Sequence, residues 1–370
     1  MKSIVYIGMD VHKATFSLCA LDNTTGEILG STKCVSEAKM VEKFIDSIVD
    51  KHGTNFEFRT GYEAGCLGFS LYHELTNLGI NCVILAPSTM LKTGKNKRVK
   101  NDKRDAKMIA SNLANGTYSA VHVPDEIDEI TKQYIGMRKD FKRAQQKVKQ
   151  QLGALLLKHH FHYDKTNWTA GYFSWVKGLK VPNLLRLTID EYLIEIQEKS
   201  AKIERFDTQI EKLSQDERYR EPVQALRCLK GLETTAAMTI HAEISDFSRF
   251  PSARSFMSYL GLTPSEHSSG DHIARGSLTK QGNVTVRTML IECVHGLIKG
   301  KIGYKTKSLL RRQKGHSAEL IRYVDNATAY LKRRYEHLMY KGKQKNVAVT
   351  AVARELAGFI WGIETQHINF

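Results

Sequence analysis

The sequence predicts an α/β N-terminal domain, then an α-helical coiled-coil segment, then a mostly α-helical C-terminal domain. Three observations support this division. Over residues 1–122, short apolar runs bounded by turn residues alternate with stretches of helical periodicity. Residues 123–220 are dominated by long charged segments with apolar side chains at three- and four-residue spacing. Compact apolar helices fill residues 221–370.

The first domain begins with three predicted strands, at 3–10, 14–21 and 27–35. Their short connections indicate an antiparallel meander. The elements predicted next are a helix at 36–51, a strand at 56–62, a helix at 67–78, a strand at 81–86 and a helix from Asp105 to Leu113. The resulting order, β-β-β-α-β-α-β-α, decides where the acidic side chains fall.

Four carboxylates occupy strand ends or a helix start in this order. Asp10 ends the first strand and Glu63 follows the fourth, while Asp102 and Asp105 begin the last helix. Residues three apart on a helix share a face, so Asp102 and Asp105 can point to one site. Taken singly, these acids suit a strand cap, a surface acid and a helix N-cap. Together they match the topology of ribonuclease-H-like nucleases and favour a metal site.

Phosphoryl transfer is the reaction that such a metal site commonly catalyses. Two metal ions about 3.5–4 Å apart can stabilise the attacking and the leaving oxygen. Mg²⁺ prefers carboxylate and phosphate oxygens. We therefore expect two Mg²⁺ ions, with Mn²⁺ as a substitute, bound by Asp10, Glu63, Asp102 and Asp105.

A basic loop at 92–107 flanks the last two acids. A solvated charge run would explain its composition but not its location beside the carboxylates. We expect its cations to hold the phosphates on either side of the reacting one. The candidate nucleic-acid contacts in this loop are Lys95, Lys97, Arg98, Lys100, Lys103 and Arg104.

Beyond the first domain, residues 125–158 and 185–214 repeat apolar side chains in near-heptad fashion, which predicts a helical hairpin or a coiled coil. The aromatic stretch 168–175 between them suits either base stacking or an aromatic mini-core. The turn KGLET at 230–234 joins two short apolar helices. It suits a phosphate-binding helix-hairpin-helix or an ordinary packing unit.

The block at 261–290 is polar and rich in glycine, a composition typical of loops that present hydroxyl groups. Ser268 and Ser269 are candidate nucleophiles, and Lys280 and Arg287 are candidates to neutralise a phosphate. Serines in such turns are commonly turn residues, and no Ser/His/Asp order is legible. Spacing alone therefore leaves the role of this block open.

Composition points to a polyanionic partner. The 370 residues include 55 Lys and Arg against 39 Asp and Glu, giving a formal net charge of +16 and a pI near 9.4. Nucleic acid is the first candidate, and a generally basic solvated surface is the alternative. The six cysteines form no C-x-x-C pair, and no segment reads as a signal peptide or a membrane span. We expect an intracellular, soluble protein with reduced thiols.

Several motifs, spread in order over nearly the whole chain, resemble those of the DEDD-type insertion-sequence transposases and Piv-like DNA invertases. They are YIGMDVHK, GYEAG, NDKRDA, the block GL.P…HSSG…R…LTKQGN…R.ML, and AVAREL. Some members of this family use a bridge RNA. GYEAG departs from the family pattern, in which a threonine usually precedes the glycine, but it retains the acid.

The resemblance implies a ribonuclease H-like, Holliday-junction-resolvase-like domain at 1–122 with Asp10, Glu63, Asp102 and Asp105 as its four acids. It implies an assembly segment at 123–220 and a transposase domain at 221–370. The nucleophile falls in HSSG, where we favour Ser269 over Ser268. The implied partners are donor and target DNA, a structured guide RNA and further copies of the chain, as a dimer or tetramer. The implied location is the cytoplasm of a bacterium or archaeon, at the nucleoid.

Two other functions compete with a serine recombinase. In a resolvase-like nuclease, water attacks the phosphate in place of serine. In a non-catalytic nucleic-acid-binding scaffold, the acids only offset nearby cations. Trapping of a covalent protein–DNA adduct separates the first two, and loss of output on removal of the acids excludes the third.

Overall fold

The computed structural model describes residues 2–65, 67–91, 101–266 and 275–368. The chain divides into two compact units, Met1–Pro124 and Asp125–Phe370. Each is described by itself below. Among the described residues, no helix has the length and apolarity needed to cross a membrane.

The N-terminal unit is built on a five-stranded mixed sheet in the order β3-β2-β1-β4-β5. The strands are β1 (Ser3–Val11), β2 (Thr15–Asp22), β3 (Ile28–Val35), β4 (Phe56–Glu63) and β5 (Cys82–Leu85). The first three strands pair antiparallel, while β4 pairs parallel to both β1 and β5. The predicted meander and the predicted order of elements are confirmed.

Helices cover both faces of this sheet. Helices α1 (Ala38–His52) and α2 (Ser70–Asn77) pack against Val5, Ile7 and Met9 of β1 in one hydrophobic core. Helix α3 (Asp102–Asn115) packs on the opposite face, where Tyr6 borders a second core. Because side chains alternate along a strand, Gly8 and Asp10 point to the α3 side.

Gly8 lets α3 lie directly against β1. A Cβ atom at this position would collide with the carbonyl oxygen of Ala106 and would lie 2.9 Å from the Cα of Ala110. Both are backbone atoms of α3, so no side-chain rearrangement could relieve the collision. The absence of a side chain at Gly8 therefore sets the separation between α3 and the strand that carries Asp10.

The C-terminal unit is mostly helical. Its helices are α4 (Glu126–Lys158), α5 (Ala170–Lys177), α6 (Asn183–Leu213), α7 (Glu217–Arg227), α8 (Thr234–Ile244), α9 (Ala253–Tyr259), α10 (Val284–Leu297), α11 (Lys307–Gln313), α12 (Ala318–Tyr340) and α13 (Lys345–Glu364). Two short antiparallel strands, β6 (Pro264–Glu266) and β7 (Arg275–Leu278), precede α10. One large core joins α7–α10, α12 and α13 to Ile135 of α4 and Ile210 of α6.

Helices α4 and α6 form the predicted hairpin. Arg138 binds Asp207 through two hydrogen bonds of 2.6 and 3.0 Å, and Gln145 donates to Ser200 at 2.6 Å. Partner numbers fall along α6 as they rise along α4, so the two helices run antiparallel. At the C-terminal end of α4 and the N-terminal end of α6, the aromatic stretch 168–175 packs with both helices in a separate core. It forms the aromatic mini-core that the sequence left as one of two alternatives.

The KGLET turn packs inside the C-terminal unit. Gly231 has a φ of +91°, and a Cβ atom there would lie 2.5 Å from the carbonyl oxygen of Cys293 and 2.8 Å from the backbone nitrogen of Leu297. Both neighbours belong to α10. The glycine therefore serves the packing of this turn on α10, as in an ordinary helix–turn–helix unit.

Candidate metal and nucleic-acid site

Asp10 and Glu63 sit at adjacent strand ends. The parallel register pairs Gly8 with Gly61 and Met9 with Tyr62, so the next position on each strand carries an acid. Tyr62 belongs to the core on the α1 and α2 side, which turns Glu63 toward α3, the side that Asp10 also faces. The sheet thus places both carboxylates at one edge.

The start of α3 brings in the other two acids. Asn101 caps the helix, since its side chain accepts a hydrogen bond of 3.0 Å from the Lys103 backbone N–H. Asp102 and Asp105 are helical residues of the first turn. The helix begins three residues earlier than the Asp105 start predicted from periodicity. Because Asn101 does the capping, neither acid is needed as the N-cap.

Asp10, His12 and Asp102 form a compact group of ligand atoms. One donor atom from each residue lies within 4.8 Å of the other two. The Nε2 atom of His12 is 3.3 Å from Oδ2 of Asp10. Within the described part of the chain, Glu63 and Asp105 fall outside this group. The set of four carboxylate ligands remains a prediction, with Asp10 and Asp102 brought together by the fold.

The pKa values of the two carboxylates in this group are shifted in opposite directions. Burial raises the pKa of Asp10, and the neighbouring carboxylates of Asp105 and Asp102 raise it further, against the lowering effect of His12. The pKa of Asp102 is lowered, chiefly by its hydrogen bond and charge interaction with Lys33. The Lys33 Nζ atom lies 2.9 Å from Oδ2 of Asp102. A cation thus already contacts one carboxylate of the group.

Sequence reasoning missed both His12 and Lys33. His12 lies two residues after Asp10, within the motif YIGMDVHK. Lys33 becomes a neighbour through strand pairing, because it lies opposite Ser17, which lies opposite Asp10 on β1. No local pattern in β3 marks it, so only the pairing of the three strands identifies it.

The donor set suits a divalent cation. Carboxylate oxygens and an imidazole nitrogen within 4.8 Å of one another can share one ion at metal–ligand distances of about 2.0–2.5 Å. Burial, and then the nearby carboxylates of Asp105 and Asp102, raise the pKa of Asp10, and a bound cation would favour its ionised form. Lys33 already provides a positive charge at Asp102.

We expect Lys33→Met to tighten divalent-metal binding about two- to fivefold, because metal would no longer compete with the ammonium for Oδ2 of Asp102. Calorimetric titration with Mn²⁺ measures this change. Lys43→Met removes the same charge from an exposed position on α1 and should leave the affinity unchanged. Weaker binding in Lys33→Met would contradict the competition.

Only some of the basic residues predicted to contact nucleic acid lie in the part of the chain that the structure describes. Lys103 and Arg104 are exposed on the first turn of α3, beside the acids. Lys95, Lys97, Arg98 and Lys100 lie outside the described residues. Lys280 is exposed, and its backbone N–H donates to the Gly261 carbonyl oxygen at 3.1 Å.

The strands β6 and β7 hold the base of the HSSG block, while Ser268 and Ser269 lie outside the described residues. Gly261 and Gly282 both have positive φ, and a Cβ on either would collide with backbone atoms across the base. Nη1 of Arg287 donates to the carbonyl oxygens of Leu260 and Gln281 at 2.7 and 2.9 Å. Arg287 therefore holds two backbone segments together, a role that its predicted phosphate contact did not include.

Comparison with known proteins gives consistent matches. A DEDD-type IS110 model described as "Transposase" matches residues 7–161, and one described as "Transposase IS116/IS110/IS902 family" matches residues 223–308. The chain is 32% identical over 364 residues to "Putative transposase y4qE" of Sinorhizobium fredii, covering 98% of this chain and 88% of the relative.

Two further relatives carry transposase names. The transposase for insertion sequence element IS1533 of Leptospira borgpetersenii is 32% identical over 260 residues, which is 69% of this chain and 73% of the relative. The transposase for insertion sequence element IS1111A of Coxiella burnetii is 21% identical over 383 residues, covering 100% of this chain and 92% of the relative.

Proposed function

This chain belongs to the IS116/IS110/IS902 family of transposases, enzymes of DNA recombination, and from that premise we propose how its residues share the chemistry. The N-terminal acids bind divalent metal and cut DNA strands, and a serine of the HSSG block joins the enzyme to DNA. The observation that carries the proposal is the meeting of Asp10, His12 and Asp102 at one edge of the sheet.

We assign the N-terminal unit to the ribonuclease H-like class. Support comes from an antiparallel meander followed by two parallel strands, with α3 laid across β1. This arrangement delivers carboxylates from two strand ends and one helix start to the same edge. In our proposal Asp10, Glu63, Asp102 and Asp105 are the metal ligands of residues 1–122, and His12 is an auxiliary one.

A bound divalent ion, Mg²⁺ or Mn²⁺, would stabilise the negative charge that develops on the leaving oxygen. The protein residues do the rest. Asp10 and Asp102 fix the position of the site, since strand β1 and helix α3 are both anchored in cores. The exposed cations of Lys103 and Arg104 would hold neighbouring phosphates of the bound strand.

Ser269 is the proposed nucleophile, with Ser268 as the alternative. The serine Oγ forms a bond to phosphorus while the bond from phosphorus to the leaving sugar oxygen breaks. Serine gives up its proton and the leaving oxygen gains one, so the strand ends as a phosphoserine ester and a free hydroxyl. Reversal on another strand rejoins the DNA. The base clamped by Gly261, Gly282 and Arg287 supports the block on either side.

A nicked suicide duplex, whose leaving strand dissociates after cutting, tests the serine. Wild-type protein should accumulate a covalent DNA adduct, and Ser269→Ala should abolish it while Ser268→Ala and the exposed control Ser258→Ala retain it. The adduct is counted on a denaturing gel.

Each other outcome reassigns the chemistry. Loss of the adduct in Ser268→Ala alone moves the nucleophile to that residue. Cutting without any adduct in the wild type identifies water as the nucleophile, as in a resolvase-like nuclease. If the wild-type protein binds the DNA but does not cut it, the chain acts as a nucleic-acid-binding scaffold.

We propose that residues 123–220 assemble copies of the chain, as a coiled coil or a related helical contact, and that residues 221–370 form the transposase domain. Support comes from apolar side chains that stay exposed on the hairpin, with Ile130 and Met137 of α4 exposed by 65% and 52% and Leu184 of α6 by 78%. Light scattering on the purified chain should give a dimer or tetramer mass. A monomer at micromolar concentration would contradict this assignment.

We also propose a structured guide RNA as a partner, on the strength of the net charge of +16. One discrete RNA should co-purify with the protein, and nuclease treatment should stop recombination. Unchanged recombination by RNA-free protein would exclude the RNA.

A further inference from the structure

A small cavity of about 120 Å³ lies in the C-terminal unit, away from the HSSG block in sequence. It is bounded by the KGLET turn, the segment 301–305 and helices α11 and α12. Four lysines line it, namely Lys230, Lys301, Lys305 and Lys332, with Asp325 among the other lining residues. The cavity is therefore strongly cationic.

Lys332 is the buried member of this group. Its side chain is only 7% exposed, and among the described residues the carboxylate nearest to its Nζ atom is that of Glu336, at 3.7 Å. A buried ammonium is costly unless an opposite charge or strong hydrogen bonds offset its lost hydration. Glu336 lies on the next helical turn, and its carboxylate at this distance is a weak counterion for Lys332. An anion in the cavity would supply the missing partner.

The remaining charges do not neutralise Lys332. Asp325 is engaged elsewhere, because Lys305 donates to its Oδ2 at 2.5 Å and Gln313 donates to its Oδ1 at 3.2 Å. Lys230 donates to the carbonyl oxygen of Lys299 at 2.6 Å, a contact that carries no opposite charge. Burial lowers the pKa of Lys230, and the nearby charge of Lys332 lowers it further. Within the described residues, Lys230 thus has a carbonyl oxygen as its hydrogen-bond acceptor and Lys332 has only the distant Glu336 as a counterion.

A larger groove along α4 is a weaker candidate. It has a volume of about 860 Å³, but acids on α4, α8 and α10 line it together with its lysines and arginines. Arg138 is already paired with Asp207, and Lys139 donates to Thr285 at 3.1 Å. Its charge is mixed, and two of its cations already have partners. In the lysine cavity the lining carboxylate, Asp325, is already held by Lys305 and Gln313, and Lys332 has no close counterion among the described residues.

We infer that the cavity formed by Lys230, Lys301, Lys305 and Lys332 binds a backbone phosphate of a nucleic acid. Its volume is well below the roughly 300–1,000 Å³ of pockets that enclose whole small molecules, so it takes a single anionic group. Lysine ammonium groups bind phosphate as point charges. Tyr304, 62% exposed at the rim, offers a ring to the adjoining sugar or base. The inference rests on the proposed function, and DNA and RNA are the two sources of such a phosphate.

Nucleic-acid binding by the full-length protein tests the cavity. Fluorescein-labelled 30-base-pair duplex DNA and single-stranded RNA of the same sequence serve as probes, in EDTA so that the metal site plays no part. We expect Lys332→Met and Lys301→Met each to weaken binding about three- to tenfold. The slope of log affinity against log salt should shrink by about 0.9 for the duplex or about 0.7 for the single strand. Anisotropy titrations over a salt series measure both.

Lys341→Met is the matched control, because it removes the same charge from an exposed position just beyond α12. It should change affinity less than twofold. Loss with one probe alone assigns the cavity to that nucleic acid, and loss with both assigns it to backbone phosphates in general. If both cavity variants bind both probes as Lys341→Met does, the inference is wrong.

Misfolding of a variant and failure of the proposed function can both be distinguished from failure of the cavity proposal. Lys301 is exposed, so Lys301→Met gives a result even if the buried Lys332→Met fails to fold. Wild-type protein that binds neither probe would contradict the proposed function as a whole, whereas wild-type binding with unaffected cavity variants contradicts only the cavity.

Discussion

Asp10→Asn should reduce metal-dependent DNA cleavage about 10³-fold or more while leaving the protein folded. The substitution keeps the shape of the side chain and removes the charged oxygens that would bind metal beside His12 and Asp102. Loss of a metal that stabilises the leaving oxygen removes several kcal/mol from transition-state stabilisation, and each 1.36 kcal/mol is about a tenfold change in rate. Cleavage rates on labelled DNA, with DNA affinity measured in parallel, give this number.

The same substitution should not destabilise the metal-free protein. The pKa of Asp10 is raised above its ordinary value of 3.8, so the fold prefers the neutral acid. The stability that the protonated group contributes to the fold is therefore lost as pH rises from about 3.8 through the raised pKa. A neutral amide avoids this loss, and we expect an unchanged or higher melting temperature at pH 7. Reduced activity together with preserved stability would mark Asp10 as a functional residue.

Asp46→Asn is the control for Asp10. It makes the same chemical change at an exposed position on α1, on the other side of the sheet, and should leave cleavage unchanged. Cleavage by Asp10→Asn within about tenfold of the wild-type rate would exclude Asp10 as a metal ligand needed for cleavage.

Gly8→Ala should damage both the fold and the site. The added methyl group would collide with the backbone of α3 at Ala106 and Ala110, so the helix must move away from β1. Overpacking of this kind costs about 1–3 kcal/mol, and a collision with backbone should lie at the upper end. Hydrogen exchange of amides in β1 and α3 measures the loss in the N-terminal unit. Because Asp102 moves with α3, divalent-metal affinity should fall at least about tenfold.

Gly136→Ala is the matched control for Gly8. This glycine lies within α4, and a Cβ atom there would meet nothing within 4 Å. Alanine should stabilise the helix by about 0.4–1 kcal/mol, because it restricts the unfolded chain without straining the fold. Equal and mild effects of the two substitutions would show that Gly8 does not set the position of α3.

The acidic site was partly predictable because its residues lie at element boundaries. Apolar runs that end at Asp10 and Glu63 mark strand ends, and strand order places such ends at one edge of a sheet. Helical periodicity put the start of α3 at Asp105. The actual start lies three residues earlier, since the cap at Asn101 depends on a polar residue that carries no periodic signal.

Other contacts were not predictable, because they join residues without a shared pattern. Lys33 reaches Asp102 only after β3 pairs with β2 and α3 settles over the sheet on Gly8. Lys332 reads in the sequence as one charge among many on an amphipathic helix, and its burial follows from the packing of α12 on the segment around residue 301. Arg287 fits a phosphate contact by charge, yet it binds two carbonyl oxygens.

The sequence by itself determined the order of the elements in the N-terminal unit, the paired long helices as one of two alternatives, the boundary positions of the four acids and the family of the chain. All of these depend on local periodicity or on motif residues that can be read in order. The tertiary structure decided which charges meet. Asp10 lies with His12 and Asp102 because strand alternation and the missing side chain of Gly8 bring α3 onto β1. Distances between side chains far apart in sequence follow from packing, and no local pattern encodes packing.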